Sequence, residues 1–227
     1  MSLSKQIYWE NVYTLAKQHI DKNGPNGYKQ FLSSLGSSKP LGRKYGFSAK
    51  LSVCKTLKSD PSVSGLPIYY ATYSFYWCDL LVASSPKGVC FLGFIGEDTD
   101  VLEVLQKNFP NSNLHHHTQP IHLKLIEYLE QEAEFDLAIH LIGTPFQLAV
   151  WDKLLELAPN EYVTYKDLAQ ALQAGKAYQA VGSAVGMNPI SLLIPCHQVL
   201  SSSDKLTGYR WGVDLKLTLL MGQKGVE

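Results

Sequence analysis

Residues Val163–Leu200, VTYKDLAQALQAGKAYQAVGSAVGMNPISLLIPCHQVL, hold two short helical patterns and a cysteine in one run, and their reading decides the fold of the C-terminal half. Thr164 with Asp167 three residues on is a cap signal ahead of Leu168, Ala169 and Leu172, so a helix is predicted to begin there. After Gln173-Ala174-Gly175 a second helix is predicted from about Ala177 to Met187. Two short helices joined by a tight, glycine-containing turn outline a helix-turn-helix, whose second helix would be the reader of DNA. Upstream, Thr144 as N-cap, Pro145 as first helical residue and Gln147 three after the cap predict another helix, with Phe146, Val150, Leu154 and Leu155 on one face.

Chemistry is written most plainly at Pro195-Cys196-His197. A thiol is a weak nucleophile until it becomes a thiolate, and an adjacent imidazole is one usual activator. A lone cysteine is more often core filler. The flanks argue otherwise: Gly143-Thr144-Pro145-Phe146-Gln147 and Val150-Trp151, then Val163-Thr164-Tyr165 and Asp167-Leu168-Ala169, then Ala180-Val181-Gly182 with Asn188-Pro189. Ile194-Pro195-Cys196-His197 with Val199 and Gly208-Tyr209-Arg210-Trp211-Gly212 complete the pattern. In order and spacing it resembles the methylated-DNA–protein-cysteine methyltransferases, the single-use proteins that repair O6-alkylguanine, in their Ada-type repair domain. The resemblance runs from Gly143 to about Gln223, is weaker over Ile68 to His140, and is absent before that.

An α+β chain in three parts is expected, the second and third from the resemblance and the first, which the resemblance does not reach, from its own charge and periodicity. Residues 1–63 form a basic, partly helical extension; 64–140 a small ribonuclease-H-like subdomain; and 141–227 a mainly helical, winged-helix-like (helix-turn-helix) domain carrying the cysteine. The implied reaction is irreversible, stoichiometric transfer of the alkyl group from O6-alkylguanine, with O4-methylthymine as a further substrate, to Cys196 after base flipping. His197 acts through a water as the base, and Tyr165 donates a proton or hydrogen bond to the departing guanine, although a boundary aromatic at a helix start is an alternative role. Val199 and Tyr209-Arg210 read the base edge, and Asn188 braces the turn before the active-site loop. Tyr178, Gln179, Ala180 and Gln198 fall at DNA-contacting positions. Three positions depart from the family: Gln198 and Gln179 stand where it has arginine, and Gln223 where it has the glutamate that completes the relay. Each loses a charge, so a less acidic thiol and weaker DNA binding are expected. Glu227, four residues beyond Gln223, is a substitute only if the terminal helix continues past Gly225.

The chain has 227 residues, 45% hydrophobic and 18% charged, the composition of a globular protein. It shows no membrane-spanning run and no signal-peptide core, so a soluble, cytoplasmic monomer acting on double-stranded DNA is expected. Cys54, Cys78, Cys90 and Cys196 include no pair at zinc-site spacing, and His115-His116-His117 reads as a solvated loop, so neither metal nor cofactor is expected. Net charge is zero, but residues 1–60 hold 10 basic and 3 acidic groups and 61–227 hold 10 and 17. That asymmetry fits a basic arm for a polyanion or two halves that neutralise each other.

Along the N-terminal part, Ile7-Tyr8-Trp9, Val12-Tyr13, Leu15-Ala16 and Ile20 predict an amphipathic helix ending near Asn23-Gly24-Pro25. A second short helix over Gly27–Leu35 and a basic loop over Gly36–Lys44 follow, with Asp60–Gly65 as linker. Strands are predicted at Ile68–Ser74, Asp79–Ala83 and Gly88–Phe94, then helical patterns through Val101–Leu105 and Ile121–Leu129. Two other functions remain open: a non-catalytic binder of alkylated DNA, and a DNA-binding regulator signalled by methylation of Cys196. Binders of this kind lack the cysteine that Cys196 retains.

Overall fold

Gly88–Ile95 reads GVCFLGFI, an apolar run without polar alternation, which suits a strand covered on both faces. In the computed structural model, which describes residues 3–26, 28, 31, 50–131, 136–158, 161–203, 205–206 and 208–224, this strand is β4 and seven of its eight residues are buried. It lies inside a mixed six-stranded sheet made with β1 (Lys50–Leu57), β2 (Pro67–Phe75), β3 (Cys78–Ser85), β5 (Asn113–His116) and β6 (Asp136–Gly143). The strand order is β1-β6-β4-β3-β2-β5. β2, β3 and β4 form an antiparallel meander, while the β1–β6, β4–β6 and β2–β5 pairs are parallel. Parallel neighbours need crossovers, which α2 (Val101–Asn108) and α3 (Pro120–Gln131) supply. Asp100 caps α2 by accepting from the amides of Leu102 and Glu103. Leu105 and Phe109 then pack with Ile68, Leu81, Ala83, Cys90 and Phe91.

The chain divides into two compact units. One is the sheet unit, Ala49–Leu148 with Pro189–Leu193; the other takes the chain through Ser48, then Ala149–Asn188 and Ile194 onward. The boundaries expected after residues 63 and 140 therefore fall elsewhere, because Lys50–Leu57 is a strand in register with Asp136–Gly143 and not part of an extension. Asp60–Gly65 is an ordered turn around a short 3-10 helix, Pro61–Val63. His115 and His116, expected in a solvated loop, lie in β5 because their backbone pairs with β2 and their rings stack on Tyr69 and Tyr70 at 5.3 and 5.2 Å. The helix expected over Gly27–Leu35 and the loop over Gly36–Lys44 lie almost wholly outside the described residues.

The helical unit contains α1 (Leu3–Asn23), α4 (Pro145–Leu155, from its second turn), α5 (Tyr165–Ala171), α6 (Tyr178–Gly186) and α7 (Val213–Lys224). A two-stranded parallel pair joins β7 (Val163–Thr164) to β8 (Val199–Leu200). The cap signals are realised locally. Thr144 and Gln147 exchange hydrogen bonds of 2.9 and 3.2 Å, and Thr164 and Asp167 form a complete capping box. The turn between α5 and α6 passes through left-handed Gln173 and Gly175, at φ 53° and 58°. Trp151, buried on α4, donates its indole N–H to Ala184 O of α6 at 2.9 Å.

Two buried histidines give the sheet unit a pH dependence. His140 is hydrogen-bonded at both ring nitrogens, to Ser85 Oγ at 2.7 Å and Thr56 Oγ1 at 2.8 Å, and His122 Nε2 bonds Ser84 Oγ at 2.8 Å. Burial, with smaller contributions from Lys87 and His117 respectively, lowers each imidazole to about 4. Both stay neutral in the fold while the unfolded chain protonates them below the ordinary value. Their stabilisation is present above about pH 6.5 and is lost as pH falls towards 4. Urea unfolding between pH 6 and 5 should lose about 2.7 kcal/mol per pH unit, one proton from each histidine, and His140→Gln should halve that slope.

Candidate active site

Pro195 leads the chain into a single 3-10 turn, Cys196–Gln198, and β8 follows at once. Pairing of Val199 with Val163 and Leu200 with Thr164 sets the cysteine turn beside the start of α5, where Tyr165 is the first helical residue. The Tyr165 ring lies against α6, 3.8 Å from where a side chain on Gly182 would begin. Its hydroxyl donates to Gly208 O at 3.3 Å. Gly208 has φ +65°, and a Cβ there would stand 2.9 Å from that hydroxyl, so both its conformation and the space exclude other residues.

Cys196 is buried, at 3% exposure. Burial pushes its thiol up; a hydrogen bond from Asn188, then the charges of Lys216 and Arg210, work against that shift. Asn188 Nδ2 donates to Cys196 Sγ at 3.0 Å and to Ile194 O at 2.9 Å, so the expected brace also touches the sulfur. Tyr165 is raised by burial and then by its proximity to Cys196.

His197 is wholly buried, and desolvation, followed by the charge of Lys216, lowers it to about 3. The imidazole is therefore neutral near pH 7 and supplies no positive charge to the thiol. Its Nε2 lies 2.8 Å from Gln223 Nε2, which is 3.4 Å from Gln198 Oε1. Gln198 Nε2 donates to Ala158 O at 2.9 Å and also to Glu161 O. Gln198 is expected from the sequence to contact DNA, but it is 2% exposed and its amide is committed to these partners. His197 Nδ1 and Gln223 Oε1 are buried without a hydrogen-bond partner among the described residues. Half a turn of the Gln223 amide would let Oε1 accept from Nε2–H and leave Nδ1 as an acceptor. Glu227 lies outside the described residues.

Lys216 went unnoticed in the sequence. It is fully buried on α7, donates to Val199 O at 2.8 Å, and is lowered to about 8 by burial against the opposing influence of Cys196. A lysine seven residues before Gln223, two helical turns along the same face, was the available signal. Val199 O, expected to read the base edge, thus already accepts one hydrogen bond and keeps a second lone pair. Tyr209 is half-buried with its ring edge-on to Trp211 at 5.3 Å, and Arg210 Cζ lies 5.5 Å from the Trp211 ring. Tyr178, Gln179 and Ala180 form an exposed first turn of α6, while Val181, Ala184 and Val185 bury the other face.

Among the described residues no group of three His, Cys, Asp or Glu side chains could hold a metal ion. A cavity of about 750 Å³ in the sheet unit, bordered by Tyr69, Ser85, Lys87, His117, Lys124 and Asp136, includes none of the groups around Cys196. The arrangement at Cys196 can stabilise a thiolate with one amide donor and one buried ammonium, and can receive a proton on a neutral imidazole.

Residues 145–224 match the family model described as the 6-O-methylguanine DNA methyltransferase DNA binding domain. The chain is 34% identical over 158 residues to the inducible methylated-DNA–protein-cysteine methyltransferase of Bacillus subtilis, covering 67% of this chain and 88% of that protein. It is 33% identical over 159 residues to the bifunctional transcriptional activator/DNA repair enzyme Ada of Escherichia coli, and spans only 44% of Ada's length. Its structure is similar to that of Mycobacterium tuberculosis OGT in complex with DNA, with TM-score 0.54 and 28% identity over 70% of this chain and 93% of the other.

Proposed function

The chain belongs to the methylated-DNA–protein-cysteine methyltransferase family, and from that premise we propose that it repairs double-stranded DNA by moving the alkyl group of O6-alkylguanine onto Cys196. The single observation that carries this reading is the sulfur itself, held 3.0 Å from an amide donor and within the field of a buried ammonium. Either group lowers the cost of a thiolate that burial alone would raise.

The exposed first turn of α6, with Tyr178, Gln179 and Ala180, meets the duplex, and the damaged nucleotide leaves the stack for the site. Val199 and the Tyr209–Arg210 segment line the base edge. The Sγ–carbon bond forms as the carbon–O6 bond breaks. The thiol proton passes to His197 Nδ1 through a water, with Gln223 turned to accept from Nε2–H. The guanine anion that leaves takes a proton from Tyr165, which is restored from His197. Thiol and O6-alkylguanine thus become thioether and guanine with no proton left over. A thioether has no hydrolytic exit, so one chain performs one transfer and needs no cofactor.

Finer features of the fold belong to the same reading. The β2-β3-β4 meander, followed by α2 and a strand parallel to β2, supports a ribonuclease-H-like subdomain. The α5–α6 pair with the short β7–β8 ladder supports a winged-helix-like helix-turn-helix. We take the protein to act as a monomer in the cytoplasm; no described helix is long and apolar enough to cross a membrane, and all four cysteines are free. The test is to incubate the protein with a duplex containing O6-methylguanine and weigh it. One added methyl group per chain, located on the peptide bearing Cys196, is expected. Tight binding without added mass would assign a binding role instead.

A further inference from the structure

Gln223 sits in the last described turn of α7, directly after Gly222. Helix ends fray, and glycine in a final turn weakens it further, by about 1 kcal/mol relative to alanine. A relay amide placed there needs support from outside its own helix.

That support comes from the opposite end of the chain. Trp9 of α1 is 3% exposed and fills the space beside Gly222, so that a Cβ at position 222 would fall 2.1 Å from the indole Cη2. Tyr8 donates its hydroxyl to Gly222 O at 3.3 Å. Val12 and Ala16 continue the buried face of α1 at 1% and 0% exposure. Beyond α1 the chain holds a second piece of the site. Leu206 N donates to Pro25 O at 2.7 Å and Asn26 bridges Lys205, three residues before the Gly208 whose carbonyl receives the Tyr165 hydroxyl.

We propose that the N-terminal segment, residues 3–26, is a positioning element for the transfer reaction: Trp9 and Tyr8 hold the end of α7 so that Gln223 meets His197, and Pro25-Asn26 hold the loop that leads into the pocket wall. This inference rests on the alkyl-transfer reading of Cys196. It gives the arm a role in the chemical step and not as a separate polyanion-binding tail. Trp9 packs on Gly222, next to Gln223, and acts through the placement of that amide.

The test is single-turnover transfer at saturating O6-methylguanine duplex in Trp9→Ala, Trp9→Phe and the unaltered protein, with the titration of the His197 ring followed by NMR in each. In Trp9→Ala the rate at saturation should fall on the order of tenfold to hundredfold with half-saturation by DNA unchanged, since misplacement of a catalytic contact costs that much. His197 should titrate at markedly higher pH as the loosened helix end admits water. Trp9→Phe, which restores most of the ring, should recover most of both properties. If Trp9→Ala fails to fold, Tyr8→Phe removes the hydroxyl that bonds Gly222 O and should shift the same two readouts less far. A wild-type rate in Trp9→Ala, or a slowed rate with His197 unaltered, overturns the inference. Should the unaltered protein transfer nothing, the alkyl-transfer reading fails, and the His197 titration still decides whether α1 positions the relay.

Discussion

Cys196→Ala abolishes methyl transfer and leaves affinity for duplex DNA within a few-fold of the unaltered protein. The reaction needs an atom that forms a bond to carbon, and around Cys196 the described side chains offer no second nucleophile of comparable strength: the hydroxyl of Tyr165 is raised by burial, and Lys216 is committed to Val199 O. Asn188 keeps its bond to Ile194 O when the sulfur is removed, so the turn retains its brace. The lost thiol leaves a cavity smaller than those made by large-to-small core changes, whose cost is about 2–5 kcal/mol. The groups proposed to meet DNA lie on the exposed turn of α6 and are unaffected. Transfer of a labelled methyl group and fluorescence anisotropy on the same duplex measure the two properties. Any methyl recovered on the Ala variant at the unaltered rate would falsify the assignment of the nucleophile. Simultaneous loss of DNA affinity would show that the sulfur serves recognition as well as chemistry.

The parts of the site legible in the sequence are those made by neighbours in the chain. Thr164 with Asp167 and Thr144 with Gln147 report helix starts because a cap is a contact across three residues. Pro195-Cys196-His197 is legible for the same reason. What escaped depends on distant partners. Lys50–Leu57 carries two lysines and reads as surface, yet it is an edge strand whose register is set by β6, more than eighty residues later. Gln198 looked like a DNA contact because its fate is decided by the carbonyls of Ala158 and Glu161, about forty residues earlier. Lys216 does not stand out in the sequence, because only burial in the fold brings its charge to bear on Cys196. The N-terminal helix was predicted from its periodicity, but which surface it covers was not, since Trp9 and Gly222 stand at opposite ends of the sequence.

Lys216→Met slows transfer at pH 7 by on the order of tenfold to hundredfold, and the deficit shrinks as pH rises. The thiol of Cys196 is raised by burial and drawn back by the Asn188 hydrogen bond and then by the ammonium of Lys216. Without that charge the thiol rises further, and each unit reduces the thiolate fraction below the pKa tenfold, about 1.4 kcal/mol. Below both thiol values the two proteins therefore differ by a constant factor; above them both are ionised and the rates converge. In the unaltered protein thiolate with ammonium carries the same number of protons as thiol with amine. The first loss of a proton thus belongs to the thiol–ammonium pair and to neither group alone. Its rate should level after that step, while the Met variant continues to climb. Stability separates this from simple damage: a buried ammonium is costly, and an apolar side chain of similar length removes that cost while losing the bond to Val199 O, so the variant should be as stable as the unaltered protein or more so. Single-turnover rates at pH 7 and at rising pH decide it, and a Met variant that transfers at the unaltered rate at pH 7 would place Lys216 in a packing role alone.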